Sequence, residues 1–273
     1  MASEDPKDWD DAFANMAHVP GSDALPGIWT AQAATYRDSG VRIDVDIPYG
    51  DQPRERMDLV WPDGTPKGLA VFVHGGYWMR LDKSYWTDLA EGARSLRWAV
   101  CLPSYTLAPE ARIRQMTRQV GAAITVAAGM IAGPIRLAGH SAGGHLVSRM
   151  ICEDTPLGTN VQSRIAHTVS ISGLHDLRPL LRTAMNETLH LDPEEAAAES
   201  AALCRPAGTP GLTCWVGGGE RPEFIRQARL LAMMWEGLDA RVRAVVEPEH
   251  NHFTIIEALR SAESDLTREF VGL

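Results

Sequence analysis

Eight short, β-rich apolar runs recur along this chain, and from the third onward stretches with helical spacing separate them; no other feature narrows the fold as much. The runs are residues 41–48, 55–61, 69–73, 98–102, 135–138, 167–172, 212–216 and 241–247. Only residues 49–54, with Gly50 and Pro53, part the first two, a spacing that predicts an antiparallel hairpin. The later runs require parallel strands joined by crossover helices. One such helix is expected from near Pro109, with Ile113, Met116, Val120, Ile124, Ala127 and Ile131 at spacings of three and four, and it must stop at Gly133-Pro134. A second, from near Pro222, places Phe224, Ala228, Leu231 and Trp235 on one face and has Gly237 available as its cap. The expected fold class is therefore α/β: a mostly parallel eight-stranded sheet with an antiparallel N-terminal hairpin and helices on both faces.

The 273 residues suffice for one large core that buries roughly 75% of the unfolded surface. No repeat, low-complexity tract or linker divides the chain, so residues 1–273 read as a single domain. An N-terminal extension, 1–40, and an insertion, 174–211, fall outside the alternation. They predict either extra helical segments over one end of the sheet or plain surface decoration.

Lys and Arg number 26 against 35 Asp and Glu, a formal charge of −9, which repels phosphate backbones and anionic lipid. No nucleic-acid partner is expected. The longest uncharged stretch, 119–135, is mostly Ala and Gly, contains Pro134 and is too short to span a bilayer. The acidic start, 1–11, lacks the basic and apolar segments of a secretory signal, and Cys101, Cys152, Cys204 and Cys214 form no C-x-x-C pair. A soluble, cytoplasmic protein with free thiols and no membrane partner is the expectation; self-association as a homodimer is left open.

The chemistry-bearing residues fall at the ends of the expected strands. Gly139-His140-Ser141-Ala142-Gly143 is G-x-S-x-G between a strand-like run and a helix-like one, 145–151, where a sharp turn presents a serine and tiny flanking residues are required. His74-Gly75-Gly76-Tyr77-Trp78 follows the third strand. Its adjacent glycines allow the N–H groups of Gly76 and Tyr77, with that of Ala142, to receive an oxyanion. A serine nucleophile needs a base and an orienting acid, in the order Ser, acid, His for this topology. His252 abuts the helix-like 253–259 and is preferred over His250, which reads as a surface or supporting residue. Glu220, where 212–216 runs into Gly217-Gly218-Gly219, is better placed as the acid than Asp176, which could instead cap a helix. The His250/His252 pair lacks further ligands at metal spacing, and no G-x-G-x-x-G or P-loop is present, so neither metal nor cofactor is expected.

On these motifs the sequence resembles the α/β-hydrolase superfamily, in the branch of hormone-sensitive-lipase-like esterases and serine-dependent kynurenine formamidases. Tyr105-Thr106-Leu107-Ala108-Pro109-Glu110 resembles that branch's Y-x-L-A-P-E segment. The aromatic form of the His74 to Trp78 loop, the segments 140–145 and 172–177, and Pro222-Glu223-Phe224 are similar to those of the formamidases. The resemblance covers nearly the whole chain after residue 40 and puts Glu220 in the position of the acid, where aspartate is commoner.

It implies a cofactor-independent serine hydrolase acting through an acyl-enzyme on a small-molecule acyl substrate, with an aryl formamide such as N-formylkynurenine favoured and a short-chain ester as the alternative. Tyr77 and Trp78 either stack on an aromatic leaving group or pack beneath the 174–211 insertion. A non-catalytic binding protein on the same fold is the remaining class. Against it stands the presence of nucleophile, oxyanion loop, acid and base in order.

Overall fold

The computed structural model describes residues 7–208 and 211–273; residues 1–6 of the acidic start and 209–210 of the insertion lie outside the described residues. One eight-stranded sheet runs through the molecule, built from β1 (Ile43–Pro48), β2 (Arg56–Val60), β3 (Leu69–Val73), β4 (Ala99–Pro103), β5 (Ile135–His140), β6 (Ile165–Ile171), β7 (Gly211–Gly217) and β8 (Val242–Glu247). Its order is β1-β2-β4-β3-β5-β6-β7-β8. Strand β2 runs antiparallel to both neighbours, and every other pairing is parallel.

The central strands read as continuous apolar runs because helices cover both of their faces. All five residues of β3 are buried. Val71 and Val73 point into one core with Leu137 and with Met116, Val120 and Ile124 of the helix Ile113–Met130; Ala70 and Phe72 point into the other with Trp29, Leu266 and Phe270. The two-residue period of a strand thus feeds two separate cores.

The first crossover helix begins at Ile113, not near Pro109. Residues 108–112 are held instead by tertiary contacts: Ala108 N donates to Trp78 O at 2.8 Å, and Arg112 is extended at φ −84°, ψ 156°. The helix Pro222–Glu236 matches its expected start and ends at Gly237, which caps it in a right-handed conformation, φ −66°. Residues 255–260 form a 3-10 turn rather than an α-helix.

The two regions outside the alternation meet above the carboxyl ends of the strands. The extension contributes the helices Trp9–Phe13 and Leu25–Arg37, and the insertion contributes short helical turns including Arg178–Arg182 and Asn186–Leu189. Asp10 Oδ1 accepts from Ala184 N at 2.7 Å, and Arg221 pairs with Asp11, tying the extension to the insertion and to the loop after β7. Phe13 and Trp29 of the extension and Met185 of the insertion line one cavity there. Among the described residues no helix is long and apolar enough to cross a membrane.

Candidate active site

In open sheets of this kind, sites form beyond the carboxyl ends of the strands, and five loops converge there. Strand β5 ends in a turn where Ser141 adopts φ 56°, ψ −117°, a conformation that L-residues rarely hold, and the helix Ala142–Arg149 starts immediately after it. Backbone crowding explains the flanking glycines. A Cβ on Gly139 would lie 2.2 Å from Gly143 O, and one on Gly143 would lie 2.0 Å from Val73 O. The Ser141 N–H donates to Ile171 O at 2.8 Å, which pins the turn to β6. Its hydroxyl makes no hydrogen bond among the described residues and faces a cavity of about 430 Å³.

The loop after β3 passes directly over this turn: a Cβ on Gly75 would lie 3.0 Å from Ser141 Cβ. Three successive residues, Gly76, Tyr77 and Trp78, have φ of 110°, 53° and 60°. This left-handed run turns the backbone of Gly76 and Tyr77 toward the cavity, and both residues line it. The N–H groups of Gly76, Tyr77 and Ala142 donate to no group among the described residues. For Ala142 this follows from its place at a helix start, where N–H groups lack intrahelical acceptors.

His252 follows β8 and is buried, its ring lying 4.6 Å from both the His140 and the Phe224 rings. Its Nδ1 lies 2.7 Å from Glu220 Oε2. The other carboxylate oxygen, Oε1, accepts from Ser172 Oγ at 2.5 Å and from Gly217 N at 2.8 Å. Glu220 thus has no freedom to rotate away from the imidazole. Because His140 Nε2 faces the His252 carbonyl at 2.8 Å it must carry the proton, leaving His140 Nδ1 as a buried acceptor without a partner among the described residues.

The alternatives considered from sequence occupy other places. Asp176 pairs with Arg178 at 2.8 Å, and its main chain is clamped by Gln227. His250 is partly exposed and faces Thr254 and Glu247. Neither lines the cavity.

Trp78 requires a correction. It is wholly buried, stands edge-on to His145 at 5.2 Å between ring centroids, and forms no part of the cavity wall. The φ sequence of the loop sends residue 77 to one side and residue 78 beneath the helix Ala142–Arg149, so a substrate cannot reach Trp78. Tyr77 does line the cavity, but its hydroxyl donates to Phe13 O and accepts from Asn15 Nδ2 at 3.0 Å. Burial pushes that hydroxyl's pKa well above its ordinary value. It therefore anchors the N-terminal extension as well as forming a wall.

The aromatic walls that sequence reading missed are Phe13 and Trp29 from the extension, Trp86 after β3, and Phe253 beside the histidine. Trp29 packs on Trp86 at 4.7 Å and on Phe253 at 5.8 Å between ring centroids. The one available signal was the concentration of aromatic residues in a segment that fitted no strand or crossover pattern.

A serine on a strained strand-to-helix turn, a glycine loop with unengaged N–H groups and a buried carboxylate–imidazole pair, all at the carboxyl edge of a mostly parallel sheet, define an enzyme of the hydrolase type. The chain belongs to the α/β-hydrolase fold family, whose model matches residues 70–254. It is 29% identical over 234 residues to the kynurenine formamidase of Danio rerio, covering 82% of this chain and 79% of that protein. A kynurenine formamidase of Drosophila melanogaster is 24% identical over 244 residues, covering 84% of this chain and 80% of that protein. A crystal structure from Silicibacter sp. TM1040, provisionally described as a thioesterase, superposes with a TM-score of 0.91 at 47% identity, covering 97% of this chain and 100% of that one. Esterase B from Lactobacillus rhamnosis shares the fold at 17% identity and a TM-score of 0.70, covering 95% of this chain and 92% of that one.

Proposed function

We propose that the protein is a cofactor-independent serine hydrolase that cleaves aryl formamides of the N-formylkynurenine type. The observation that carries this reading is the cavity: Ser141 opens into an enclosure walled by Tyr77, Trp29, Trp86 and Phe253, which suits a flat aromatic leaving group. The similarity to kynurenine formamidases over most of their length supports the same substrate class.

In this mechanism Ser141 Oγ attacks the formyl carbon while His252 Nε2 takes the hydroxyl proton. Glu220, at 2.7 Å from Nδ1, fixes the tautomer and stabilises the imidazolium. The carbonyl oxygen becomes an oxyanion received by the N–H groups of Gly76, Tyr77 and Ala142. The C–N bond then breaks, His252 returns the proton to the departing aryl amine, and formyl-Ser141 remains. Water, deprotonated by His252, attacks that ester; the bond to Ser141 Oγ breaks, His252 returns the proton to the serine oxygen, and formate leaves. The Ser141–His252 hydrogen bond that the first step needs forms as substrate fills the cavity, since such contacts often tighten only in the complex.

Steady-state hydrolysis of N-formylkynurenine beside a short-chain p-nitrophenyl ester tests the reading. The expected result is a kcat/KM at least about a hundredfold higher on the formamide, within reach of pocket contacts that differ by a few kcal/mol. Ester turnover without formamide turnover would keep the mechanism and assign the protein to short-chain esters, the second reading, which the esterase neighbours support.

Ser172 takes part only by holding Glu220. A hydrogen bond to a charged group contributes about 1.5–3 kcal/mol, so Ser172→Ala is expected to lower kcat about tenfold to a hundredfold with little change in KM. An unchanged kcat would show that Gly217 N–H alone positions the carboxylate.

A further inference from the structure

The four cysteines fall into two groups. Cys101 and Cys214 are sealed in the cores, and burial raises both thiol pKa values, that of Cys214 to about 12. Cys152 and Cys204 instead stand together on the far side of the nucleophile helix, outside the catalytic cavity. Residues 151–153 pair with 205–207 through Glu153 N to Arg205 O at 2.9 Å and Ala207 N to Ile151 O at 2.8 Å, with Cys152 opposite Pro206. The two sulfurs and a carboxylate oxygen of Asp154 all lie within 4.8 Å of one another. Cys152 is fully buried, whereas Cys204 is partly open to solvent.

A third group decides what this cluster can do. Arg149, its side chain 3% exposed, donates from Nη1 to Cys204 Sγ at 3.0 Å and to Asp154 Oδ1 at 2.9 Å, and from Nη2 to Asp154 Oδ2 at 2.6 Å. A metal ion would meet that fixed positive charge among its own ligands, so the cluster is ill suited to a cation. It is well suited to a thiolate, which a guanidinium stabilises.

We infer that Cys204 and Cys152 are a peroxide-reactive thiol pair, Cys204 being oxidised first and Cys152 resolving it as an intramolecular disulfide. The Cys204 thiolate attacks one oxygen of a hydroperoxide; the S–O bond forms, the O–O bond breaks, and the departing hydroxide or alkoxide takes up a proton. Sulfur loses two electrons and the peroxide gains them. The Cys152 sulfur then attacks Cys204 Sγ; the S–S bond forms, the S–O bond breaks, and the hydroxide leaves with the Cys152 proton as water. The pKa directions agree with this order of roles. That of Cys204 is lowered by the neighbouring Cys152 thiol and by the charge of Arg149, against the opposing effects of burial and of the Asp154 and Glu199 carboxylates. That of Cys152 is raised by the neighbouring Cys204 and by burial, against the charge of Arg149.

The test is graded hydrogen peroxide treatment of the folded full-length protein, followed by differential alkylation and peptide mapping. Cys204 is expected to be consumed at least about tenfold faster than Cys101 or Cys214 and to be recovered in a disulfide with Cys152. In Cys152→Ala the disulfide is lost and dimedone traps a sulfenic acid on Cys204; in Cys204→Ser, Cys152 stays reduced. Oxidation of Cys204 no faster than that of the core cysteines overturns the inference. So does passage of the wild-type Cys204 to sulfinic acid without a disulfide. Neither readout depends on the substrate of the catalytic site.

Discussion

Ser141→Ala is expected to lower kcat by about a millionfold, leaving only what oxyanion donors and substrate binding supply without a nucleophile. Folding should be untouched. The Ser141 hydroxyl makes no hydrogen bond among the described residues, so its removal orphans no buried partner, and alanine meets the same backbone strain at φ 56° that serine already tolerates. The measurement is steady-state turnover of N-formylkynurenine and of a p-nitrophenyl ester, with a thermal melt of wild type and variant. A matching melt with abolished turnover on whichever substrate the wild type cleaves assigns the nucleophile. Retained turnover with an intact fold would remove Ser141 from that role, and the His252–Glu220 pair would then have to activate something else. A fluorophosphonate that labels wild type but not the variant checks the same point without reference to the natural substrate.

The sheet was legible because its central parallel strands, buried on both faces, leave continuous apolar runs and its outer strands keep short β-rich ones, and all eight appear within a few residues of their expected bounds. Helix boundaries were less legible where tertiary contacts override local preference. Pro109 is a good first-turn residue, yet the Trp78 carbonyl captures Ala108 N–H and delays the helix to Ile113. The loop after β3 shows the same limit at the site. Adjacent residues Tyr77 and Trp78 have the same chemical character, and only the run of positive φ values decides that one faces the cavity and the other is sealed beneath it. The extension was opaque for a related reason: Phe13 and Trp29 carry no periodicity that ties them to a strand end forty or more residues away. Their placement depends on long-range anchors such as Asn15 to Tyr77, Arg221 to Asp11 and Asp10 to Ala184. Motif spacing records strand-to-loop order well, and it records nothing of what closes over the loops.

The same dense burial makes the fold sensitive to acid. His74, His140, His145 and His175 are all buried, and desolvation lowers the pKa of each: to about 4 for His74, to about 3 for His145 and His175, and well below its ordinary value for His140, where the neighbouring His252 adds to the effect. Each ring stays neutral in the folded protein as pH falls below 6.5, while in the unfolded chain it takes up a proton. The unfolded state therefore binds more protons, stability is complete above the unfolded pKa, and it is lost as pH falls from about 6.5 toward the folded values. At pH 5 each of His74, His145 and His175 costs about 2 kcal/mol relative to pH 8, so these three together cost about 6 kcal/mol, comparable to the entire stability of an ordinary domain, and His140 adds in the same direction. The expected result is a urea midpoint that drops steeply between pH 6.5 and 5, with unfolding coupled to the uptake of about four protons. His145→Gln retains a donor for the Glu199 carbonyl that His145 Nε2 now meets at 2.7 Å, and it should remove about one proton from that slope. A midpoint that stays level from pH 8 to 5 would mean that these rings are protonated in the folded state. The Nδ1 atoms of His140, His145 and His175, which have no partner among the described residues, would then need acceptors within the core.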